Sequence, residues 1–516
     1  MLGSRRAIRP VLVSIAGSLA CMALASSAGA AVAVHRVFMA APAAPGTPEP
    51  FKPPRGTRLP RALDLNQVGI IKVGRPTSKN VLVLEPGTSA GGGYFVPFAK
   101  SLVEHTKGWQ VWSIERRENL LEDQSMLTKA KRGKGSASEL FCYYLGWLVA
   151  GGCKPHFHPI AQGFIPSEEA KSIKEFADEW GMNVAVEDLH VAIEAAKALG
   201  GKVVLGGHSL GGSVVTAYAT WDFSGKPGAD GLSGLVYDDG GSSPVPVSKE
   251  GAEEELSTLR AATSPWLAFG GIPSPFLGLF SALGSTSTVV FAKEASLAES
   301  FPLLPEDLKP KNPANCKLEE AGCEQIPVTN EALFGFGVNV GTSPPSLIAA
   351  QVHAGKGIEA KAEEDGLHGW NGEGALTPIK RYAEMLSGTG LTNADGTEWY
   401  FPERLTLDTG AVAEGNANPA QEVLGEHAIH GHELPKSLKI IAINSELDKA
   451  VGANSLQAAE ILAEQSGIPK QNLTLINVEN EYAHNDPAGA DPPEKGGIYA
   501  NVFFRELVPF LELLAN

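Results

Sequence analysis

Residues 203–212 read Val203-Val204-Leu205-Gly206-Gly207-His208-Ser209-Leu210-Gly211-Gly212. The apolar, β-branched start is typical of a buried strand, and the small residues after Ser209 are typical of a helix packed closely against that strand. Ser209 lies in a Gly-x-Ser-x-Gly frame, which holds a serine above a sheet on a tight strand-to-helix turn. Gly207 and Gly211 fit this turn because they carry no Cβ where strand and helix nearly touch. We therefore predict that Ser209 is a nucleophile.

A serine hydroxyl needs a base to become nucleophilic at neutral pH, and the base needs an acid that orients it. In chains with this turn, the order along the sequence is serine, acid, histidine. His484 is the only histidine after position 432, and it follows the apolar run 473–478. Such a run predicts a late strand with a loop at its carboxyl end. We predict that His484 is the base.

The orienting acid is expected shortly after a central strand. The run 438–443 predicts such a strand, and it is followed by Glu446 and Asp448. We predict Asp448 as the acid, with Glu446 as a minor alternative. The stronger alternative is Asp238 or Asp239, which directly follow an earlier predicted strand. A plain turn carboxylate is the other interpretation of either pair, because aspartate is common in turns.

These motifs resemble the α/β-hydrolase family, and its lipase- and esterase-like members in particular. The resemblance implies an α/β fold with a doubly wound, mostly parallel sheet and a large inserted cap or lid. It also implies an oxyanion hole formed by two main-chain N–H groups, those of Leu210 and Thr88. Relatives usually carry His-Gly at the start of the loop that holds the second group, where this chain has Pro86-Gly87.

No cofactor or metal site is predicted. The run Gly91-Gly92-Gly93 is not followed by Gly-Lys-Ser/Thr and lacks Gly-x-Gly-x-x-Gly spacing, so a nucleotide site is not indicated. Residues 426–433 contain three histidines, His427, His430 and His432. They lack the His-Glu-x-x-His pattern of a zinc site, and Gly431 interrupts the segment, so we interpret it as a solvated loop.

The predicted core is interrupted by two insertions. The apolar, proline-interrupted residues 272–284, which include Phe276 and Phe280, are interpreted as a mobile lid lining an apolar substrate pocket, with ordinary cap core as the alternative. The full division is a signal peptide at 1–30, an Ala/Pro-rich flexible leader at 31–62, the first part of the core at 63–240 with an insertion near 116–180, the cap at 241–434, and the last part of the core at 435–516.

The first thirty residues predict export. They combine arginines, an apolar stretch and Ala28-Gly29-Ala30, so we expect cleavage after Ala30, no stable membrane span afterwards, and a secreted or extracytoplasmic protein. Loss of three arginines changes the net charge from −16 to −19, which argues against nucleic acid as the main partner. Four cysteines then remain, and in an oxidising compartment the simplest pairs are Cys142–Cys153 and Cys316–Cys323.

The function predicted from these features is cleavage of carboxylic esters, with a small or lipid-like ester as substrate. Ser209 would attack the acyl carbon, His484 would accept and return the proton, and water would release the acid from an acyl-enzyme. A peptidase, an amidase or an acyltransferase would use the same groups. A non-catalytic binding protein on a hydrolase scaffold is the alternative from another class.

Overall fold

The computed structural model describes most of the chain. The described residues are 32–132, 134, 137–145, 168–241, 246–269, 272–273, 295–296, 327–343, 345–359, 366–388, 390–391, 393–451, 455–492 and 501–516. The predicted signal peptide, the lid residues Phe276 and Phe280, and three of the four remaining cysteines lie outside them. Cys142 is disulfide-bonded. The two cysteine pairings, the export and the lid stay predictions.

An eight-stranded sheet forms the centre of the molecule, in the order β1-β2-β4-β3-β5-β6-β7-β8. All pairs from β4 to β8 are parallel, whereas β2 is antiparallel to both of its neighbours. The strands are β1 Val34–Ala40, β2 Gln67–Gly74, β3 Asn80–Glu85, β4 Trp109–Glu115, β5 Val203–His208, β6 Gly234–Asp238, β7 Lys439–Asn444 and β8 Leu473–Asn477.

Helices cover both faces of this sheet, as the doubly wound prediction requires. The parallel strands are apolar on both sides because two separate buried clusters pack against them, one on each face. The longer helices are α1 Val96–His105, α2 Ser125–Lys131, α3 Ala137–Leu145, α4 Glu168–Ala177, α5 Met182–Lys197, α6 Leu210–Thr220, α7 Lys249–Ala261, α8 Asn330–Val338, α9 Ile379–Ser387, α10 Glu403–Asp408, α11 Pro419–Leu424, α12 Glu446–Val451, α13 Ser455–Ser466 and α14 Val502–Ala515. The predicted fold class is confirmed.

The last helix continues through its proline. Pro509 lies inside α14, and four apolar residues spaced at helical intervals are buried on its inner face. Those residues are Phe503, Leu507, Phe510 and Leu514. No helix among the described residues is long and apolar enough to cross a membrane.

The prediction of a flexible leader at 31–62 is corrected, because part of this segment forms strand β1. Residues 34–40 pair antiparallel with β2 at the edge of the sheet. Val37 and Met39, two residues apart, pack onto one of the buried clusters, and the exposed Phe38 lies between them. This is the alternation of an edge strand with one buried face. The Ala and Pro residues around it obscured that pattern.

The segment predicted as a cap enters the chain between β6 and β7, and we call residues 241–434 the insert. Its described helices are α7 to α11. The insert contributes to both buried clusters of the sheet, through Phe334 on one face and Phe401 on the other. It is therefore packed into the core rather than placed only above it.

Candidate active site

The nucleophile turn forms as the sequence predicts. Ser209 follows β5 directly and precedes α6, and its backbone lies at φ 55°, ψ −128°. A non-glycine residue adopts this strained region only where the surrounding structure holds it there. A Cβ on Gly207 would lie 2.2 Å from the carbonyl oxygen of Gly211, and one on Gly211 would lie 2.2 Å from that of Glu85. Both glycines are therefore required for the strand, the helix and β3 to approach each other.

His484 lies in the loop after β8 and is bonded to Asp239. The distance from His484 Nδ1 to Asp239 Oδ2 is 2.5 Å, and both side chains are almost completely buried. Asp239 follows β6 at φ 46°, and both the main-chain N–H and the hydroxyl of Ser445, after β7, donate to its carboxylate. Asp239 thus has the position of an acid that fixes the orientation of the imidazole.

The prediction that Asp448 orients His484 is corrected. Asp448 lies on α12, and its Oδ2 accepts a hydrogen bond from the N–H of Ser455 at 2.7 Å. The residue that follows β7 is Ser445, which donates to Asp239, so the end of this strand supplies donors rather than the acid. Glu446, the minor alternative, has its N–H bonded to the carbonyl of Tyr482. The carboxylate that contacts His484 comes from the end of β6, the alternative kept open in the sequence.

Asp238 forms no hydrogen bond or ion pair with His484 within the described part of the chain. It is buried, one of its carboxylate oxygens has no hydrogen-bond partner within the described part of the chain, and burial raises the pKa of its side chain well above the ordinary value. A buried carboxyl group without a cation is held neutral by desolvation. Of the two adjacent aspartates, Asp239 is the one that contacts His484.

The two predicted oxyanion donors flank Ser209. Leu210 is the first residue of α6, where N–H groups have no partner within the helix, and Thr88 lies in the loop after β3. Within the described part of the chain, neither main-chain N–H donates a hydrogen bond. A Cβ on Gly87 would lie 2.8 Å from Ser209 Cβ, so the loop passes directly against the nucleophile turn. Two free donors next to Ser209 are the requirement of an oxyanion hole.

A cavity of about 380 Å³ opens beside Ser209 and His484. Its wall is mostly apolar, and the described residues that line it include no Asp, Glu, Lys or Arg. The insert supplies one side through residues 347–350 and Leu386, and Leu447 of α12 supplies another part. A neutral, apolar group fits this wall, because a charged group would lose hydration there without gaining a partner.

Two side chains that the sequence interpretation missed, those of His208 and Tyr94, hold the loop of His484. His208 Nε2 lies 3.1 Å from the carbonyl oxygen of His484, so this nitrogen carries the proton. Tyr94 stacks on His208, and its hydroxyl donates to Asn485 Oδ1 at 2.9 Å. Burial, together with the neighbouring His484, lowers the pKa of His208 well below its usual range, which keeps it neutral. The position of His208 beside Ser209 was the only sequence signal for this support.

The histidine-rich segment 426–433 lies away from this cavity. His430 contacts two carboxylates, Asp222 at 3.1 Å and Glu433 at 2.8 Å. Among the described residues, no group of three or more His, Cys, Asp or Glu side chains is arranged to hold a metal ion.

The sheet order, the strained serine turn after β5 and a histidine after the last strand together define an α/β-hydrolase fold. The sequence matches no protein-family model and no curated protein.

Several solved structures are similar at low identity. A candidate lipase from Sulfolobus solfataricus is 13% identical, with a TM-score of 0.41 over 94% of this chain and 95% of that chain. Monoglyceride lipase from Saccharomyces cerevisiae is 12% identical, with a TM-score of 0.33 over 87% and 92%. A thermophilic esterase from Thermogutta terrifontis is 13% identical, with a TM-score of 0.34 over 93% and 100%.

Proposed function

We propose that this protein is a serine hydrolase that cleaves carboxylic esters through an acyl-enzyme. The observation that carries the proposal is the buried 2.5 Å contact between His484 Nδ1 and Asp239, with Ser209 on the same cavity. An imidazole held at Nδ1 by a carboxylate presents Nε2 as a base, and it is stabilised when it becomes cationic.

In the proposed reaction, Ser209 Oγ attacks the acyl carbon while its proton passes to His484. The N–H groups of Leu210 and Thr88 stabilise the negative oxygen of the tetrahedral intermediate. The C–O bond then breaks, and the alcohol leaves with the proton from His484. Water attacks the acyl-enzyme with His484 again as the base, and the carboxylic acid is released.

The ester preference is supported by the cavity. A hydrolysed amide must have its poorer leaving group protonated, but the same residues serve both reactions. The apolar wall with no Asp or Glu offers no partner for the ammonium group of an aminoacyl substrate. Uncharged acyl esters are therefore the proposed substrates.

The decisive experiment is labelling with a fluorophosphonate probe, which reacts with activated serines. The wild-type protein should be labelled, whereas Ser209→Ala should not. Wild-type protein that has not been treated with the probe should hydrolyse p-nitrophenyl esters faster than aminoacyl p-nitroanilides. An unlabelled but folded wild type would favour the binding-protein alternative. Faster turnover of the amides would contradict the ester proposal while leaving the catalytic groups in place. Formation of a new ester with an added primary alcohol would indicate an acyltransferase.

A further inference from the structure

The oxyanion loop is held from behind by a buried arginine. Arg116 follows β4, its side chain is only 4% exposed, and it lies between two carboxylates. Arg116 Nε lies 2.8 Å from Glu85 Oε1, and Nη1 lies 2.5 Å from Glu398 Oε2. Burial raises the pKa of each of these carboxyls to about 7, against the opposing effect of Arg116. A buried cation between two such groups is costly unless its remaining donors are also used.

The remaining donors of Arg116 bind the main chain of the loop. Nη2 donates to the carbonyl of Pro86, and both terminal nitrogens lie 3.3–3.4 Å from the carbonyl oxygen of Gly87. Nη1 is also 3.4 Å from the carbonyl oxygen of Ala90. A guanidinium can bind several acceptors at once because its donors are fixed in one plane. Three main-chain carbonyl groups of this short loop are thus held by one side chain.

The geometry of the peptide bond gives these contacts a consequence for catalysis. In a trans peptide, the C=O of one residue and the N–H of the next point in opposite directions. The carbonyl of Gly87 points toward Arg116, so the N–H of Thr88 in the same peptide plane points away from it. Thr88 lines the cavity beside Ser209, and its N–H has no partner within the described part of the chain.

The insert holds the same loop from its other side. The N–H of Glu398 donates to the carbonyl of Ser89 at 2.8 Å, and Ala90 forms an antiparallel bridge with Thr397. The N–H of Gly91 donates to the carbonyl of Gly396 at 3.0 Å. Glu398 therefore contacts the loop through its main chain and Arg116 through its side chain, so the arginine connects the insert, β3 and the loop.

We propose that Arg116 is a positioning residue, which holds the Gly87–Thr88 peptide so that the Thr88 N–H faces the oxyanion formed at Ser209. It touches neither substrate nor nucleophile. This proposal rests on the proposed function, because an oxyanion forms there only if Ser209 attacks an acyl carbon. The chain has Pro86-Gly87 where relatives carry His-Gly. In the proposed role, the contacts of Arg116 order the loop in spite of this difference.

The chain offers a matched control in the next residue. Arg117 is as deeply buried, and it pairs with Asp188 and donates to Asn66 Oδ1 at 2.8 Å. Within the described part of the chain, Arg117 makes no hydrogen bond or ion pair with residues 86–90. Its partners are Asp188 on α5, Asn66 just before β2 and the carbonyl of Pro42. Arg116→Gln and Arg117→Gln therefore each remove a buried cation, but only the first removes donors from the oxyanion loop.

The test compares kcat, KM and thermal melting for the two variants on one p-nitrophenyl ester. Because the loss affects the transition state, Arg116→Gln should lower kcat by about 10²-fold with KM changed by less than about twofold. It should also weaken inhibition by a trifluoromethyl ketone, whose adduct with serine carries the oxyanion, by a similar factor. Arg117→Gln should melt earlier but keep kcat and ketone inhibition close to wild type. Arg116→Lys should recover part of the lost kcat.

Equal losses of kcat in the two glutamine variants, or unchanged ketone inhibition in Arg116→Gln, would overturn the positioning role. If Arg116→Gln does not fold, Arg116→Lys decides: wild-type kcat and ketone inhibition would overturn the proposal, and a kcat loss at constant KM would support it. Labelling of wild type but not of Ser209→Ala by the fluorophosphonate tests the proposed function separately. Its failure is therefore distinguishable from a failure of the role of Arg116.

Discussion

At the scale of single residues, the choice between two aspartates shows how neighbouring strands determine a role. Asp239 follows β6, which lies between the strand of Ser209 and the strand of Ser445. Its carboxylate receives two donors from Ser445 and one from His484. Asp448, two residues into a helix, instead accepts from the N–H of Ser455. Both aspartates follow strands, but only the carboxylate of Asp239 is hydrogen-bonded to the imidazole of His484.

We expect Asp239→Asn to lower kcat by up to about 10⁴-fold, because His484 then loses both the correct tautomer and the stabilisation of its cation. Asp448→Asn is the matched control, since it removes a charge from the same edge of the sheet without removing a partner of His484. Steady-state kinetics on one ester, with thermal melting to verify folding, would measure the difference. A crippled Asp448→Asn beside a near-normal Asp239→Asn would restore Asp448 as the acid.

At the scale of elements, the loop of His484 is tied to the insert through Asp486. This buried carboxylate accepts hydrogen bonds from the N–H of Ala483, the hydroxyl of Thr377 and both the N–H and Nδ1 of His353. The hydrogen bond to Asp486 raises the pKa of His353, and Glu446 adds to this effect. The insert and the loop of His484 are thus joined by a histidine whose pKa is raised by its carboxylate partner.

The raised pKa of His353 predicts that its contribution to the stability of the fold depends on pH. A histidine whose pKa is raised in the folded state stabilises the fold below its unfolded pKa of about 6.5, and the stabilisation is lost as the pH rises through the folded pKa. His353→Gln should therefore lower the melting temperature more at about pH 5.5 than at about pH 8.5. His368→Gln is the control in the insert, because His368 Nδ1 contacts a main-chain carbonyl, that of Glu359. A pH-independent difference for His353→Gln would refute the linkage.

The sequence predicted the elements better than their contacts. The strands β5 to β8 and the serine turn followed from local apolar runs and glycine spacing, which are properties of neighbouring residues. The acid, the support of His208 by Tyr94 and the role of Arg116 depend on which strands lie side by side and on residues of the insert. Arg116 and Glu398, for example, are in contact across 282 positions. The only sequence signal for Arg116 was a charged residue directly after a strand. Many turns have such a residue, so this signal could not identify its role.

At the scale of the whole molecule, the insert completes the wall of the cavity that lies beside Ser209 and His484. Its residues enter both buried clusters of the sheet, and residues 347–350 and Leu386 form one side of the cavity. The limit on acyl length is therefore expected in the described part of the insert. The residues Phe276 and Phe280, which the sequence predicted as a lid, lie outside the described residues, and their effect on chain length stays a prediction.

A cavity of about 380 Å³ predicts that p-nitrophenyl esters of short to medium acyl chains react fastest. Leu347→Ala should move the optimum of kcat/KM to longer chains because it widens the cavity, and Ala350→Leu should move it to shorter chains because it narrows the same wall. Each variant is the control for the other, since a general loss of stability would shift both profiles alike. Profiles measured from acetate to laurate esters would show the shifts. Unchanged optima in both variants would place the acyl chain elsewhere, while Ser209 and His484 would keep their proposed roles.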